Sequence, residues 1–463
     1  MKVAVDYGER MVEIDVPDNA TVVEYSDPQL PDDPAAALDA ALARPLGMPP
    51  LAELARPGMR VAIGFDDVTR PALPPRLILP RIADELNRAG VKDRDIVFIN
   101  GCSNHRRNTR SELASHLGPE LFNRFWPLGN IRNHDCDLAE GLRFTGITES
   151  GRYVEHNRDF LDADLQVYQG NVSAQAWKGY TGTGVVIGLA STRSIASHHS
   201  YSTVPVPEKK KEHQKATGTK LPGMKPEMTA FLEAATGKKT FYVNAVTGMG
   251  GKPAGIFAGH ANDVTPPAWD LAGRMFSREV PQADVLVVGL GAKYSYGSSD
   301  NTLIAAVGAT VPPRYSPGLP VLREGGVVIA LSPSTGFIDR ERYPSYQDLI
   351  DVFARHHSVR ALVDHEETFH GNPEYLQRYR HGFGYPALHA FWIFYELEYA
   401  LARAGAVIMA GTSNPGAFRA LGLQTAPDFD AAWKMARRYV GASPTTVVAP
   451  TFWTRPRIKF LVK

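Results

Sequence analysis

Two short runs in this sequence bring several reactive side chains within a few positions of one another. The first is Asp66-Asp67-Val68-Thr69-Arg70-Pro71, with two carboxylates, a hydroxyl and a guanidinium; the second is Gly101-Cys102-Ser103-Asn104-His105-Arg106-Arg107, an imidazole with two guanidiniums behind it. His105 is the natural acid or base near neutral pH, because imidazole alone among unperturbed side chains changes charge there. Arg70 or Arg106 offers a planar fork for a carboxylate or a phosphate. Asp67 and Thr69 read equally as caps of a following helix, and the arginines as surface charges, if either run is taken alone; the two together favour a site. A third cluster runs from Gly170 to His199. Gly179, Gly182 and Gly184 allow the backbone to approach a phosphate closely, and His198 and His199 are imidazoles of the kind that hold nickel, copper or zinc, with a polar surface pair as the alternative.

The first two runs each follow a buried strand. RVAIGF (60–65) and DIVFIN (95–100) are separated by the amphipathic segment PRLILPRIADELNRAG, closed by Gly90, which is the strand, helix, strand order of a parallel sheet. Ligands sit beyond the carboxyl ends of such strands, so the two runs are expected side by side in a crevice. The alternation returns at ADVLVVGLG (283–291), GGVVIALSP (325–333), VRALVDH (359–365) and AGAVIMAG (404–411). The chain therefore reads as an α/β protein of two domains, each a mostly parallel sheet flanked by helices, with the active site in the cleft between them. The first domain is placed at 1–270, where NDVTPPAWDLAG breaks the pattern, and the second at 275–445, with the final stretch of about 15 residues returning to the first.

At 463 residues, with 44% apolar and 21% charged residues, the chain has the composition of a globular protein. A net charge of +1 does not suggest a nucleic-acid binder, and two cysteines, Cys102 and Cys136, are too few for a disulfide framework or a thiolate zinc site. The start, MKVAVDYGER, lacks a signal-length apolar stretch, and the expectation is a cytoplasmic protein with no membrane segment. The basic, turn-rich stretch 206–227 reads as a solvated loop or a flap over an anionic ligand.

The order DYGER, DDVTRP, GCSNHRRNT, NHD (133–135), a glycine-rich loop and a late histidine resembles the lactate racemase family, over most of the first 260 residues and more loosely beyond. The resemblance implies a nickel-pincer nucleotide cofactor, supplied by cofactor-synthesis proteins, and a small hydroxy acid or sugar as substrate. It makes Asp67 and Thr69 positions near the cofactor, together with Gly179, Gly182 and Gly184. Arg70 becomes the substrate-side arginine, His105 an acid/base histidine, and His199 the nickel ligand, with His198 as its shifted alternative.

This sequence also departs from the family pattern. Val185 stands where the family has the lysine that joins the cofactor covalently, and Gln175 where it has a second catalytic histidine. Ser299 falls near its substrate-side lysine, with Lys293 the nearest substitute. The resemblance thus implies a noncovalently held cofactor and inversion of a carbinol centre by transient hydride transfer. His105, Arg70 and Gln175 would form the catalytic set, and Arg70, Arg106, Lys293, Tyr294 and Ser299 the substrate contacts. Tyr180, Tyr294, a water or a remote histidine could stand in for the second base. The alternatives are a relative without cofactor that binds a small anion or regulates another protein, or a metal-dependent lyase or hydrolase using the histidine pair with Asp135 or Glu366.

Overall fold

The computed structural model describes residues 1–176, 179–203, 223–294 and 296–463. Two α/β layers account for most of it. A six-stranded sheet has the order Pro253–Gly259, Phe241–Thr247, Leu165–Val172, Val61–Asp66, Ile96–Gly101, Ile131–Asn133, parallel except where the first two strands pair. Val61–Asp66 and Ile96–Gly101 pair in register with Asp66 opposite Gly101, so the two reactive runs leave the sheet side by side. Their apolar residues are covered by helix Leu73–Arg88, whose Ile78, Leu79, Ile82, Ala83 and Leu86 follow the helical period and are buried. Gly90 ends that turn with φ at 90°, a left-handed angle that suits glycine.

The second sheet is built on Ala283–Gly291, with Leu322–Leu331, Ala406–Ala410 and Gln424–Ala426 in parallel on one side. On its other side lie Thr446–Ala449, beside its first half, and Lys2–Gly8, beside its last residues. This departs from the assignment of 1–270 to one unit. Lys2–Gly8 and its antiparallel neighbour Arg10–Asp15 belong to the second sheet, where Val5, Ile14 and Val16 share a core with Val285, Val287 and Ile329. An alternating hairpin at a terminus buries one apolar face on whichever sheet offers it an edge, and the sequence alone does not name that sheet.

Two further expectations are corrected. VRALVDH is not a strand: Arg360–His365 is a 3-10 helix with Leu362 buried and Arg360 exposed. NDVTPPAWDLAG does not interrupt the fold, because helix Ala261–Phe276 runs through Pro266 and Pro267, and its buried Val264, Ala268, Ala272 and Met275 offset the lost amide bonds. The C-terminal Lys459–Val462 pairs in parallel with Ser277–Val280, immediately after that helix. Among the described residues no helix is long and apolar enough to cross a membrane, and Cys102 and Cys136 are buried free thiols.

Because Val5 is fully buried against the second sheet, Val5→Ala should cost about 2 kcal/mol in urea unfolding. Amide exchange should then rise in Ala283–Gly291 and stay unchanged in Val61–Asp66; the reverse pattern would contradict the pairing.

Candidate functional site

Beyond the carboxyl ends of the first sheet lies a cavity of about 890 Å3. One wall comes from the loops after Val61–Asp66, Ile96–Gly101 and Leu165–Val172, the other from helix Ala387–Leu401 and the segments around Tyr296 and Arg314. That helix is buried nearly all round, and its His389, Trp392, Ile393, Glu396 and Tyr399 recur at helical spacing along the cavity.

Two carboxylates anchor the first wall. Asp66 accepts the Tyr168 hydroxyl at 2.9 Å and the Asn171 amide at 2.7 Å, and its backbone carbonyl accepts Nε2–H of His116 at 2.8 Å. Burial raises its pKa against the opposing pull of Arg70 and those donors. Asp67 has the opposite balance. Burial would raise it, but His105, Arg70 and Thr69 hold the carboxyl at about 2. His105 donates Nδ1–H to Asp67 at 2.8 Å, which leaves Nε2 as the nitrogen free to meet a ligand. The turn that carries His105 depends on Ser103, left-handed at φ 54°, whose amide donates to the Gly188 carbonyl at 2.8 Å. Arg70 lines the cavity and donates to Thr69 Oγ1 at 3.1 Å.

The glycine-rich stretch divides. Gly182 and Gly184 line the cavity, whereas Gly179 does not: its φ is 82° and a Cβ there would meet the Trp269 ring. Gly184 is small because a Cβ would strike Tyr168. Gln175 lines the cavity and donates to the Tyr180 carbonyl at 3.2 Å. His198 and His199 close helix Thr192–His199 and touch through their Nδ1 atoms. Both line the cavity. Burial, then the cationic forms of neighbouring groups, keeps both neutral, with His199 down at about 3. His198 Nε2 is buried without a hydrogen-bond partner among the described residues, and the His199 ring lies 5.8 Å from that of Trp392.

Other expected contacts are elsewhere. Arg106 is held by Glu112, with one bond at 2.9 Å, and joins Thr69, Lys293 and Arg342 around a separate cavity of about 390 Å3. Asp67, His105 and Tyr296 form the wall shared by the two cavities. Arg106 and Lys293 therefore do not join Arg70, because the capping carboxylate of the next helix takes the Arg106 fork and Lys293 stands on an exposed hairpin. Ser299 is buried with its amide on the Ala292 carbonyl and lines neither cavity. Asn301 caps helix Thr302–Thr310. The side chain of Tyr294, Lys178 and most of the basic stretch lie outside the described residues. Asp135 caps a turn through Asp137 and Leu138, and Glu366 accepts the Tyr395 hydroxyl; neither lines the cavity. Among the described residues no three His, Cys, Asp or Glu side chains form a cluster able to hold a metal.

Sequence reasoning named none of four further cavity groups, of which Lys225 alone lies in a stretch it had singled out, the basic run 206–227. Lys225 donates Nζ–H to the Gly182 carbonyl at 2.7 Å, and burial, with Arg70 nearby, brings its pKa down to about 8. Arg314 is buried beside Glu396, and Tyr296 lies 5.4 Å from the His105 ring. His389 was the most legible, as an isolated imidazole in the apolar run GYPALHAFWIFYELEYAL.

The folded Asp67 carboxyl titrates near 2 against a reference of 3.8. Its stabilisation, on the order of 2 kcal/mol, is therefore complete above pH 4 and fades as pH falls toward 2. Asp67→Asn should lower stability at pH 7 and converge with the wild type across that acid window; parallel curves would refute the buried charge.

Residues 7–211 match the lactate racemase N-terminal domain. The chain is 24% identical over 291 residues to a lactate racemase of Thermoanaerobacterium thermosaccharolyticum, covering 62% of this chain and 63% of that protein, less than two thirds of its length. In fold it is similar to the lactate racemase apoprotein of that organism, with a TM-score of 0.70 at 19% identity over 97% of this chain and 98% of the other. A crystal structure of a Thermotoga maritima protein is similar at a TM-score of 0.57 and 15% identity, over 95% of this chain and all of that one. Residues 7–211, which carry the ordered motifs around Asp67 and His105, are thus similar to the lactate racemase N-terminal domain, and the chain as a whole shares the fold of the lactate racemase apoprotein.

Proposed function

We propose that this protein is an isomerase that inverts one carbinol centre of a hydroxy acid, sugar acid or sugar, using a nickel-pincer nucleotide. The observation that carries the reading is the Asp67-held imidazole of His105 on the same cavity as the neutral pair His198 and His199. The residues present fit such a group. Neutral imidazoles are the protonation state a metal needs, and His198 Nε2 is a buried polar atom without a partner among the described residues. The cavity has room for a nucleotide-sized ligand, and Lys225 and Arg70 bring cations to it. His199 would hold the nickel, with His198 as the alternative. When bound, the nucleotide would supply an acceptor for the carbinol hydrogen, which is too weakly acidic to leave as a proton.

This chain's own part is binding and proton movement. His105 Nε2 takes the hydroxyl proton while Nδ1–H stays on Asp67, and the carboxylate stabilises the imidazolium that results. Arg70 orients an anionic substrate group. Gln175 and Tyr296 on the cavity wall favour a substrate with additional hydroxyls. Val185 is buried among apolar side chains away from the cavity, so the cofactor is held noncovalently.

Deuterium on the reacting carbon should be retained through epimerisation, with little activity on lactate; rapid exchange with solvent would point to direct proton abstraction. His199→Ala should release nickel without unfolding the chain. His105→Gln should keep nickel and lose on the order of 10²-fold or more in turnover. Equal nickel retention in both variants would refute the ligand assignment. Denatured holoprotein should show the bare chain mass, whereas a mass increment that disappears in Lys225→Ala would make that amine a covalent attachment point.

A further inference from the structure

A hydride mechanism places a geometric demand on the bases. When the carbinol hydrogen of either stereoisomer is aimed at one acceptor and one substituent is anchored, the hydroxyl points in two different directions in the two isomers. One fixed base reaches only one of them. His105 is such a base, and Gln175 has no proton to exchange near neutral pH.

A second imidazole faces the same space from the other half of the protein. His389 is buried on helix Ala387–Leu401, lines the cavity, and has its ring centroid 5.8 Å from that of His105 at an interplanar angle of 80°. The two rings are held alike. His105 is bonded at Nδ1 to Asp67 at 2.8 Å, and His389 at Nδ1 to the Tyr346 hydroxyl at 2.7 Å, so in each ring Nε2 is the nitrogen left for a ligand. Tyr296 packs beside both rings, with its centroid 5.4 Å from that of His105 and 5.2 Å from that of His389.

We infer that His389 is the second acid/base group of this site, accepting through Nε2 the hydroxyl proton of the stereoisomer whose hydroxyl points away from His105. The inference rests on the epimerase reading above. A bound nucleotide would supply the acceptor that takes up the carbinol hydrogen as hydride and gives it back; one imidazole would take the hydroxyl proton of the incoming stereoisomer, and the other would give a proton to the oxygen of the inverted product. Burial first, then repulsion from His105 and His199, keeps His389 neutral without ligand, the form that accepts a proton.

The test separates the two half-reactions. Nickel-loaded protein is mixed with one stereoisomer at a time from the lactate, glycerate and gluconate/mannonate pairs, quenched, and the 2-keto acid trapped as a hydrazone. His389→Gln should lower keto-acid formation from one member of a pair by about 10²-fold and leave the other within about threefold, and His105→Gln should show the opposite preference. Tyr346→Phe, which keeps the imidazole and removes its orienting bond, should weaken the same member as His389→Gln, by less. As a readout independent of turnover, carbethoxylation of His389 by diethyl pyrocarbonate should be suppressed by both members of the active pair, while the exposed His356 reacts unchanged.

A His389→Gln variant that matches the wild type, one that loses both members equally while nickel is retained, or a His389 that neither member protects would overturn the inference and leave the epimerase reading standing. Wild-type protein that forms no keto acid from any member would count against the epimerase reading itself, and this inference would fall with it.

Discussion

Two adjacent carboxylates at the end of one buried strand set the terms for the rest of the site. Charge removed from water must be matched locally or given up, and Asp66 and Asp67 take opposite courses. Burial pushes Asp66 toward the protonated form in spite of Arg70 and its neutral donors, while Asp67 has the imidazole of His105 and the hydroxyl of Thr69 as well as Arg70 and remains ionised. Environments that push two like groups apart in this way allow neighbouring side chains to perform different tasks. His105 owes its orientation to this division, and Arg70 stands within the field of both carboxylates.

The second half of the protein completes the cavity with one helix. Its aromatic and aliphatic bulk fixes it in the core, so the few polar side chains on its cavity-facing stripe have little freedom. Side chains held by packing and by a hydrogen bond on their far side are better positioned for chemistry than side chains on loops. Tyr346 behind His389 and Glu396 beside Arg314 provide that support.

Much of the first wall was legible in the sequence, because strand ends in a parallel sheet are where ligands meet the fold and both reactive runs follow apolar strands. Register did the rest: Asp66 opposite Gly101 brings His105 to Asp67 without long-range information. The second wall was illegible for a physical reason. His389 and Glu396 stand out as polar residues in an otherwise apolar helix and Arg314 ends a short proline turn, but nothing in their spacing shows that they share one cavity with the first wall; only tertiary packing does. Arg106 misled for a similar reason, since its partner Glu112 is local and belongs to a helix cap. The hairpin at residues 2–15 lies within the stretch placed in the first domain yet joins the second sheet, because a pairing that spans more than half of the chain leaves no mark in composition.

That long-range pairing affects how the protein is made. Lys2–Gly8 leaves the ribosome before any strand of the six-stranded sheet, yet its partner Ala283–Gly291 emerges only after that sheet has been synthesised in full. During that interval the earliest strand has an apolar face and no sheet to bury it, the condition in which nascent chains recruit chaperones or pair wrongly. The first sheet closes on itself within residues 61–259 and has no such delay. Birth order and folding order therefore diverge in this chain: a strand made before the first sheet finds its place after it, and the cavity wall contributed by the second half is assembled later still.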